Sequence, residues 1–493
     1  MGSQNSAPIA EALLAYRNEG ALRLHMPGHK GRPLLPPDLA VLDATEVPGL
    51  DDLHDASGPI AEAQRLCADL YGARESFFLV GGSTAGIVAL VLASSEPGRP
   101  VVVPRHAHRS LLSGLVLSGA RPIWVEPLYD PQADLVLGVP ADRYRQALAF
   151  EPGATAVWAV SPTYQGVAAD LEAVSAMAEA RGLPLLVDEA HGAHFPFDRR
   201  LPRAALTQGA AAVVQSAHKS LTALTQAAWL HVGTERLDRE RLRGALRLVQ
   251  TSSPSYVLMA SLDLARRHLA REGRKNLAAA VDASLALRSS LCGDAALPQP
   301  AMPAPVDGLV VQVDPTKLWL DVSALGLTGP EADRLLRRLG VQVEMAGPRH
   351  VLVILTLADG DAEAHRFIAA LAELAQTARA GLAEDAPRRA AAPAPAHSGG
   401  PGLWLPGQSA IRPPAEMTPR EALFRPHQAV SLESSAGRVA AESLVPYPPG
   451  IPLVMPGERL TPDLISWVRE ALAAGVRFQG AADPSLQSIS VVA

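Results

Sequence analysis

Two short stretches end apolar runs in residues that carry chemistry. One reads Leu183-Pro-Leu-Leu-Val-Asp188-Glu189-Ala190-His191-Gly-Ala-His194, the other Ala211-Ala-Val-Val-Gln215-Ser216-Ala217-His218-Lys219-Ser220. Each run suits a strand covered on both faces, and ligands on open α/β sheets gather at the carboxyl ends of such strands. Asp188 and Lys219 are therefore expected on one rim. A lysine amine facing a carboxylate is the pairing that pyridoxal phosphate (PLP) requires. The amine anchors the cofactor as a Schiff base, and the carboxylate keeps the pyridine nitrogen protonated so that the ring can accept electrons. The same two residues also suit a solvated lysine at a strand end and an aspartate that caps a helix. Ser216 and His218 favour the cofactor, because hydroxyl and imidazole donors beside the lysine suit a phosphate.

The elements that must position these residues follow an alternating pattern. Ser76–Val80 reads as a strand, and Gly81-Gly82-Ser83-Thr84-Ala85-Gly86 leads from it into a helix over Ile87–Ser95. A glycine turn of this kind exposes backbone N–H groups at the positive end of a helix, which makes either a phosphate cradle or a plain helix start. Its spacing is neither that of a Walker loop nor GxGxxG. Pro100–Val103 is a buried strand ending in Arg105-His106-Ala-His108, and a histidine there is structural or functional. Pro122–Val125 and Thr155–Val160 are further strands. After the second, Tyr164 and Gln165 either face substrate or pack their own loop. Ala227–Val232 is expected to return as an edge strand. The alternation predicts an α/β fold with a mainly parallel, doubly wound sheet and right-handed crossovers.

Beyond it, a long helical stretch covers roughly 255–290. Strands at Leu309–Val313, Leu318–Val322, Val341–Met345 and Val351–Leu355 alternate with helices near 330–339 and 361–378, which predicts a small α+β domain. Residues 379–415 carry Ala-Pro and Gly-rich linker composition. The division expected is an N-terminal helix and loop segment over 1–58, a large domain over 59–300 and the small domain over 301–378. A linker over 379–415 and a C-terminal module over 416–493 complete it.

Composition narrows the function classes. The 493 residues are 48% hydrophobic and 19% charged, which supports a large core. The net charge of −6, without a basic stripe, argues against nucleic acid as a partner. The two cysteines, Cys67 and Cys292, are too few for a disulfide framework or a zinc site and suit a reducing cytoplasm. No basic-then-apolar leader and no run of ~20 apolar residues is present, so a soluble intracellular protein is expected.

Five dispersed segments carry a resemblance to one family. They are Leu24-His-Met-Pro-Gly-His-Lys-Gly31, Leu50-Asp51-Asp52-Leu-His54 with Gly58-Pro59, Val187–His194, Gln215–Ser220 and Tyr447-Pro-Pro-Gly-Ile-Pro-Leu-Val-Met-Pro-Gly-Glu458. In this order they resemble the bacterial ornithine/lysine/arginine decarboxylases of the aspartate-aminotransferase fold, from about residue 20 to the C-terminus apart from the linker. The resemblance implies a PLP fold type I large domain, a small α+β domain and a C-terminal decarboxylase module. It implies PLP as cofactor and decarboxylation of a basic amino acid for polyamine metabolism, with biosynthetic arginine decarboxylases looking closest. It also implies a homodimer or larger assembly. Carried onto this chain, it makes Lys219 the anchor, Asp188 the partner of the pyridine nitrogen and His108 the imidazole stacked on the ring. Gly82, Ser83, Thr84, Ala190, His191, Ser216 and His218 complete the cofactor site, and Thr251–Pro254 resembles another turn on the phosphate side. Where the family often has a hydroxyl residue, Gly82 offers only its backbone N–H.

Two other readings compete with the decarboxylase. One is another PLP reaction on the same scaffold, such as transamination or aldol cleavage. The other is a non-enzymatic regulator that has kept the fold, which the full set of site residues disfavours. A basic substrate also needs a carboxylate for its cationic tail, since a buried cation without a partner costs several kcal/mol. The candidates are Glu458 and Asp483 in the C-terminal module, with Asp51 and Asp52 of the N-terminal loop in reserve, acting within the chain or across a dimer. Helix capping is the rival role for Glu458.

Overall fold

The computed structural model describes residues 3–31, 37–306, 308–389, 413–447, 452–473 and 476–493. Its centre is a sheet of seven strands in the order Glu75–Leu79, Ala228–Val232, Ala212–Gln215, Leu185–Asp188, Val157–Val160, Pro100–Pro104 and Arg121–Val125. From Ala212–Gln215 to Arg121–Val125 every neighbouring pair is parallel. These segments are short apolar runs, nearly all buried, because helices cover both faces of the sheet. Trp158 and Trp229 are among the largest fully buried side chains.

The chain passes from Pro100–Pro104 to Arg121–Val125 on one side, then returns to Val157–Val160 on the other. Strand order therefore reverses at Pro100–Pro104. A crevice forms outside the carboxyl ends at such a switch point, and His108, Tyr164, Asp188 and Lys219 all follow strands that end there.

Several local expectations are corrected. Ala228–Val232 is an interior strand, antiparallel to both Glu75–Leu79 and Ala212–Gln215 and buried along its length, so the edges fall to Glu75–Leu79 and Arg121–Val125. The helix expected from Ile87 begins at Gly82, so the glycine turn is its first turn. Val311–Val313 pairs with Val167–Ala169 beside the large sheet and does not join the small one.

That small sheet is antiparallel, in the order Gln299–Pro300, Lys317–Asp321, His350–Ile354, Met345–Ala346. Of the strand expected over Val341–Met345 only Met345 is extended, in the two-residue strand Met345–Ala346. The small sheet packs with Leu287, Leu336, Phe367 and Leu371 in a core of its own. The helix expected to stop near 378 runs from Asp361 to Arg389, and the linker residues 390–412 lie outside the described residues.

In the C-terminal part, His427–Ser431 pairs with Ser488–Val492 and Val445–Tyr447 with Arg477–Gln479. The helix Pro462–Ala473 closes its core through Leu464 and Val468. Pro448–Ile451 of the proline-rich motif lie outside the described residues. Among the described residues no helix is long and apolar enough to cross a membrane.

Candidate active site

Asp188 ends the strand Leu185–Asp188, in register with Val160 on one side and Val214 on the other, and is buried. Its Oδ1 accepts from the Ala190 N–H at 3.1 Å. Lys219 lies in the single turn Ala217–Ser220 that follows the strand Ala212–Gln215. His108 caps the helix Arg109–Ser118, its Nδ1 accepting from the Ser110 N–H at 3.3 Å. With Nδ1 an acceptor, a neutral ring carries its proton on Nε2.

The three side chains form one electrostatic unit. Burial pushes the Asp188 carboxyl above its ordinary value, while Lys219 and His108 pull it down. Burial pushes the Lys219 amine below its ordinary value, against Asp188 and Glu344. His108 is likewise lowered by burial, against Asp188. A lysine amine whose charge is disfavoured by burial suits nucleophilic attack on a carbonyl.

A second group of residues surrounds the start of the helix Gly82–Ser94. Its N-cap, Gly81, offers no side chain, so no side chain satisfies the first N–H groups. Gly82 holds φ +71°, and a Cβ there would lie 3.8 Å from the Gln226 carbonyl oxygen. The helix start thus meets the loop whose Ala227 carbonyl contacts His218 Nδ1 at 3.0 Å. Ser83 is half-buried and Thr84 exposed on the first turn. Ser216 is fully buried and its Oγ has no hydrogen-bond partner. An unpaired buried hydroxyl costs about 1–3 kcal/mol, which an anionic oxygen would relieve. An uncapped helix start, an orphaned hydroxyl and the Lys219–Asp188–His108 unit fit pyridoxal phosphate at its phosphate, aldehyde and ring nitrogen.

Sequence reasoning missed half of what surrounds His191. Its Nε2 is 3.0 Å from Lys219 Nζ, and its Nδ1 is 2.9 Å from the Nζ of Lys317. Lys317 also donates to the Tyr164 carbonyl at 2.7 Å. The Tyr164 ring meets His191 edge-on at 4.7 Å, and its hydroxyl donates to Glu344. Behind them His194 Nε2 lies 3.0 Å from Asp314 Oδ2, and Asp314 Oδ1 accepts from Thr316. Burial alone would raise Asp314, but His194, Lys317 and Thr316 hold it below its ordinary value. The available signal was Asp314-Pro-Thr-Lys317, an acid and a base between two apolar runs. Gln165, by contrast, is buried.

The acids proposed for the cationic tail each have partners of their own within the chain. Glu458 is 2% exposed and paired with Arg105, also 2% exposed, through both carboxylate oxygens. Its Oε2 accepts in addition from the Met455 N–H at 2.8 Å, and Arg105 donates to the Leu453 carbonyl at 2.8 Å. Glu458 is therefore a buried fastener between the C-terminal part and the strand end before His108, which corrects its expected role as tail reader. Asp483 accepts from Ser485 and Ser488 within its own turn. Asp51 accepts from the N–H groups of Ser57, Gly58 and Ile60, which folds its loop onto the start of the helix Pro59–Tyr71. Asp52 accepts from the His54 N–H at 2.8 Å. None of these contacts joins Asp483, Asp51 or Asp52 to the Lys219 group.

Known proteins resemble this chain in sequence and in fold. The family model for the major domain of Orn/Lys/Arg decarboxylases matches residues 7–363, and that for their C-terminal domain matches residues 408–483. An arginine decarboxylase of Halalkalibacterium halodurans is 32% identical over 100% of this chain and 99% of its own. One of Bacillus subtilis is 33% identical over 99% of this chain and 98% of its own. A lysine decarboxylase structure from Francisella novicida superposes with a TM-score of 0.86 at 18% identity, covering 99% of this chain and 81% of that one.

Proposed function

We propose, from the premise that this chain belongs to the Orn/Lys/Arg decarboxylase family and is a pyridoxal-phosphate-dependent decarboxylase, that its substrate is arginine and its products are agmatine and CO₂. The observation that carries the reading is the Lys219–Asp188–His108 unit at the strand ends of a chain alike over its full length to arginine decarboxylases.

Pyridoxal phosphate, when bound, supplies an electron sink for the pair left at Cα as CO₂ departs. Lys219 would hold it through its amine, with the helix start at Gly82, Ser83 and Thr84 and the hydroxyl of Ser216 taking the phosphate. His218 would brace that end. Asp188 would hold a proton at the pyridine nitrogen, its carboxylate kept charged by the cation it faces. His108, with its tautomer set by Ser110, would lie against the ring. Ala190 orients Asp188 through its N–H, and His191 stands beside the Lys219 amine. Net, the substrate loses its carboxylate as CO₂ and gains one proton at Cα.

With Glu458 occupied, the tail reader we infer is Glu344. It is exposed, acts on both Lys219 and Lys317, and is held by the Tyr164 hydroxyl. A carboxylate so placed offers two oxygens to a guanidinium in parallel hydrogen bonds. We place the protein in the cytoplasm, where the buried Cys67 and exposed Cys292 stay free thiols.

The test is to incubate PLP-loaded protein with arginine, lysine and ornithine and identify the amine formed. Agmatine in excess is expected. Cadaverine or putrescine in excess overturns the choice of arginine, and a keto acid without CO₂ release overturns decarboxylation.

A further inference from the structure

Lys317 is a second lysine beside Lys219, and the reaction above gives it no step. It opens the strand Lys317–Asp321 and is 3% exposed. The His191 ring stands between the two amines, with Nδ1 at 2.9 Å from Lys317 and Nε2 at 3.0 Å from Lys219.

Burial keeps this ring neutral, pushing His191 well below its ordinary value, and Lys317, Lys219, His108 and His194 all push the same way. A neutral imidazole carries one N–H, so one nitrogen donates and the other accepts. A charged lysine has three N–H groups and no lone pair. An ammonium at Lys317 therefore makes Nδ1 the acceptor and places the ring proton on Nε2, once the Lys219 nitrogen at 3.0 Å from Nε2 is uncharged or taken up in holding the cofactor. A neutral amine there would permit either tautomer.

The charge on Lys317 is set by what faces it. Burial is the largest influence and lowers it to about 7, with Lys219 acting in the same direction. Asp314 and Glu344 favour the ammonium. So do the Tyr164 carbonyl and the Tyr164 ring, whose centroid lies 5.7 Å from Nζ. Arg288 donates to the Lys317 backbone carbonyl and so fixes the strand start. Gly166, at φ +91°, leaves no Cβ where one would meet the Lys317 Cδ at 3.0 Å.

We propose that Lys317 is a positioning residue that acts through His191: by donating to Nδ1 it fixes the ring proton on Nε2, where it faces the Lys219 amine. The functional part of this inference rests on the decarboxylase reading. His191 then presents an N–H donor at the point where Lys219 would anchor the cofactor. Without Lys317 the ring is free to present a lone pair there instead.

The tautomer is read directly in cofactor-free Lys219→Met protein carrying ¹⁵N-histidine, in which no second ammonium faces Nε2, with His191 assigned by its loss when His191→Asn is added. At about pH 6 the Nε2–H form is expected, and an Nδ1–H form there overturns the proposal. In loaded protein, Lys317→Met and His191→Asn should lower kcat/KM by similar factors, and the double variant by no more than either alone. Lys317→Arg, which keeps a charged donor, should recover most of the loss. Losses that multiply in the double variant, or a Lys317→Met protein that only melts earlier with kcat/KM unchanged, overturn the proposal. Wild-type protein that takes up PLP without releasing CO₂ from any basic amino acid overturns the decarboxylase reading instead. That failure is told apart from this one by the nitrogen shifts of the cofactor-free protein.

Discussion

Two carboxylates act on the Lys219 amine, and their surroundings differ. Asp188 is buried at the end of an interior strand, while Glu344 is exposed on the small sheet's side of the site. A buried carboxylate facing a cation stays charged only while that cation is present, which suits a group that must hold a proton on a ring nitrogen. An exposed carboxylate suits a ligand that enters and leaves. Asp188→Asn is expected to bind PLP but to lower kcat by about 10²-fold or more, because an amide cannot stabilise the pyridinium. Near-normal turnover would remove Asp188 from that role. For Glu344→Gln the expectation is a rise in KM for arginine of about tenfold with kcat little changed, since one charge-assisted hydrogen bond is lost. Equal KM values in variant and wild type would exclude Glu344 as tail reader.

At the scale of elements, the strands that lead to Asp188 and Lys219 were legible because each is an apolar run that gives way to chemical residues. The interior place of Ala228–Val232 was not legible. An apolar strand reads alike whichever strands flank it, and its order depends on pairing with Glu75–Leu79, far away in sequence. Lys317 escaped for a similar reason, since it reaches His191 only once the small sheet lies against the large one. Glu458 was visible as an acid before a helix, but its partner Arg105 sits more than three hundred residues earlier and could not be read from local pattern. Burial decides between the roles offered for it. Arg105 keeps its charge against desolvation because Glu458 lies beside it, and its guanidinium also lies 5.1 Å from the Trp124 ring centroid. Breaking a buried pair by removing one partner costs about 3–5 kcal/mol. Glu458→Gln should therefore lower Tm clearly and leave KM for arginine unchanged. A raised KM at unchanged Tm would return Glu458 to the substrate.

At the scale of the whole molecule, the segment after the first helix presents apolar side chains that the single chain does not cover. Leu22 is 80% exposed, Leu24 82% and Met26 67%, all within a few residues of one another. Isolated exposed leucines need no explanation, but an apolar strip of three large side chains at alternate positions of one segment suits an interaction surface. The strip opens the Leu24–Gly31 motif, in which Lys30 donates to the His25 carbonyl at 2.5 Å and His29 meets Asp43 at 3.1 Å. Its backbone is thus held in place while its apolar side chains face outward. A second copy of the chain is the occupant we infer, since two-fold dimers are the commonest closed assemblies and one strip on each copy makes the contact self-complementary. Wild-type protein should then sediment at twice the chain mass at assay concentration. Replacing Leu22 and Leu24 together by Asp should shift it toward the monomer. Exposed positions contribute little to the stability of the single chain, so its Tm measured at high dilution should hold. A wild-type protein that is fully active as a monomer, or a double variant that stays dimeric, would show that the strip serves another surface.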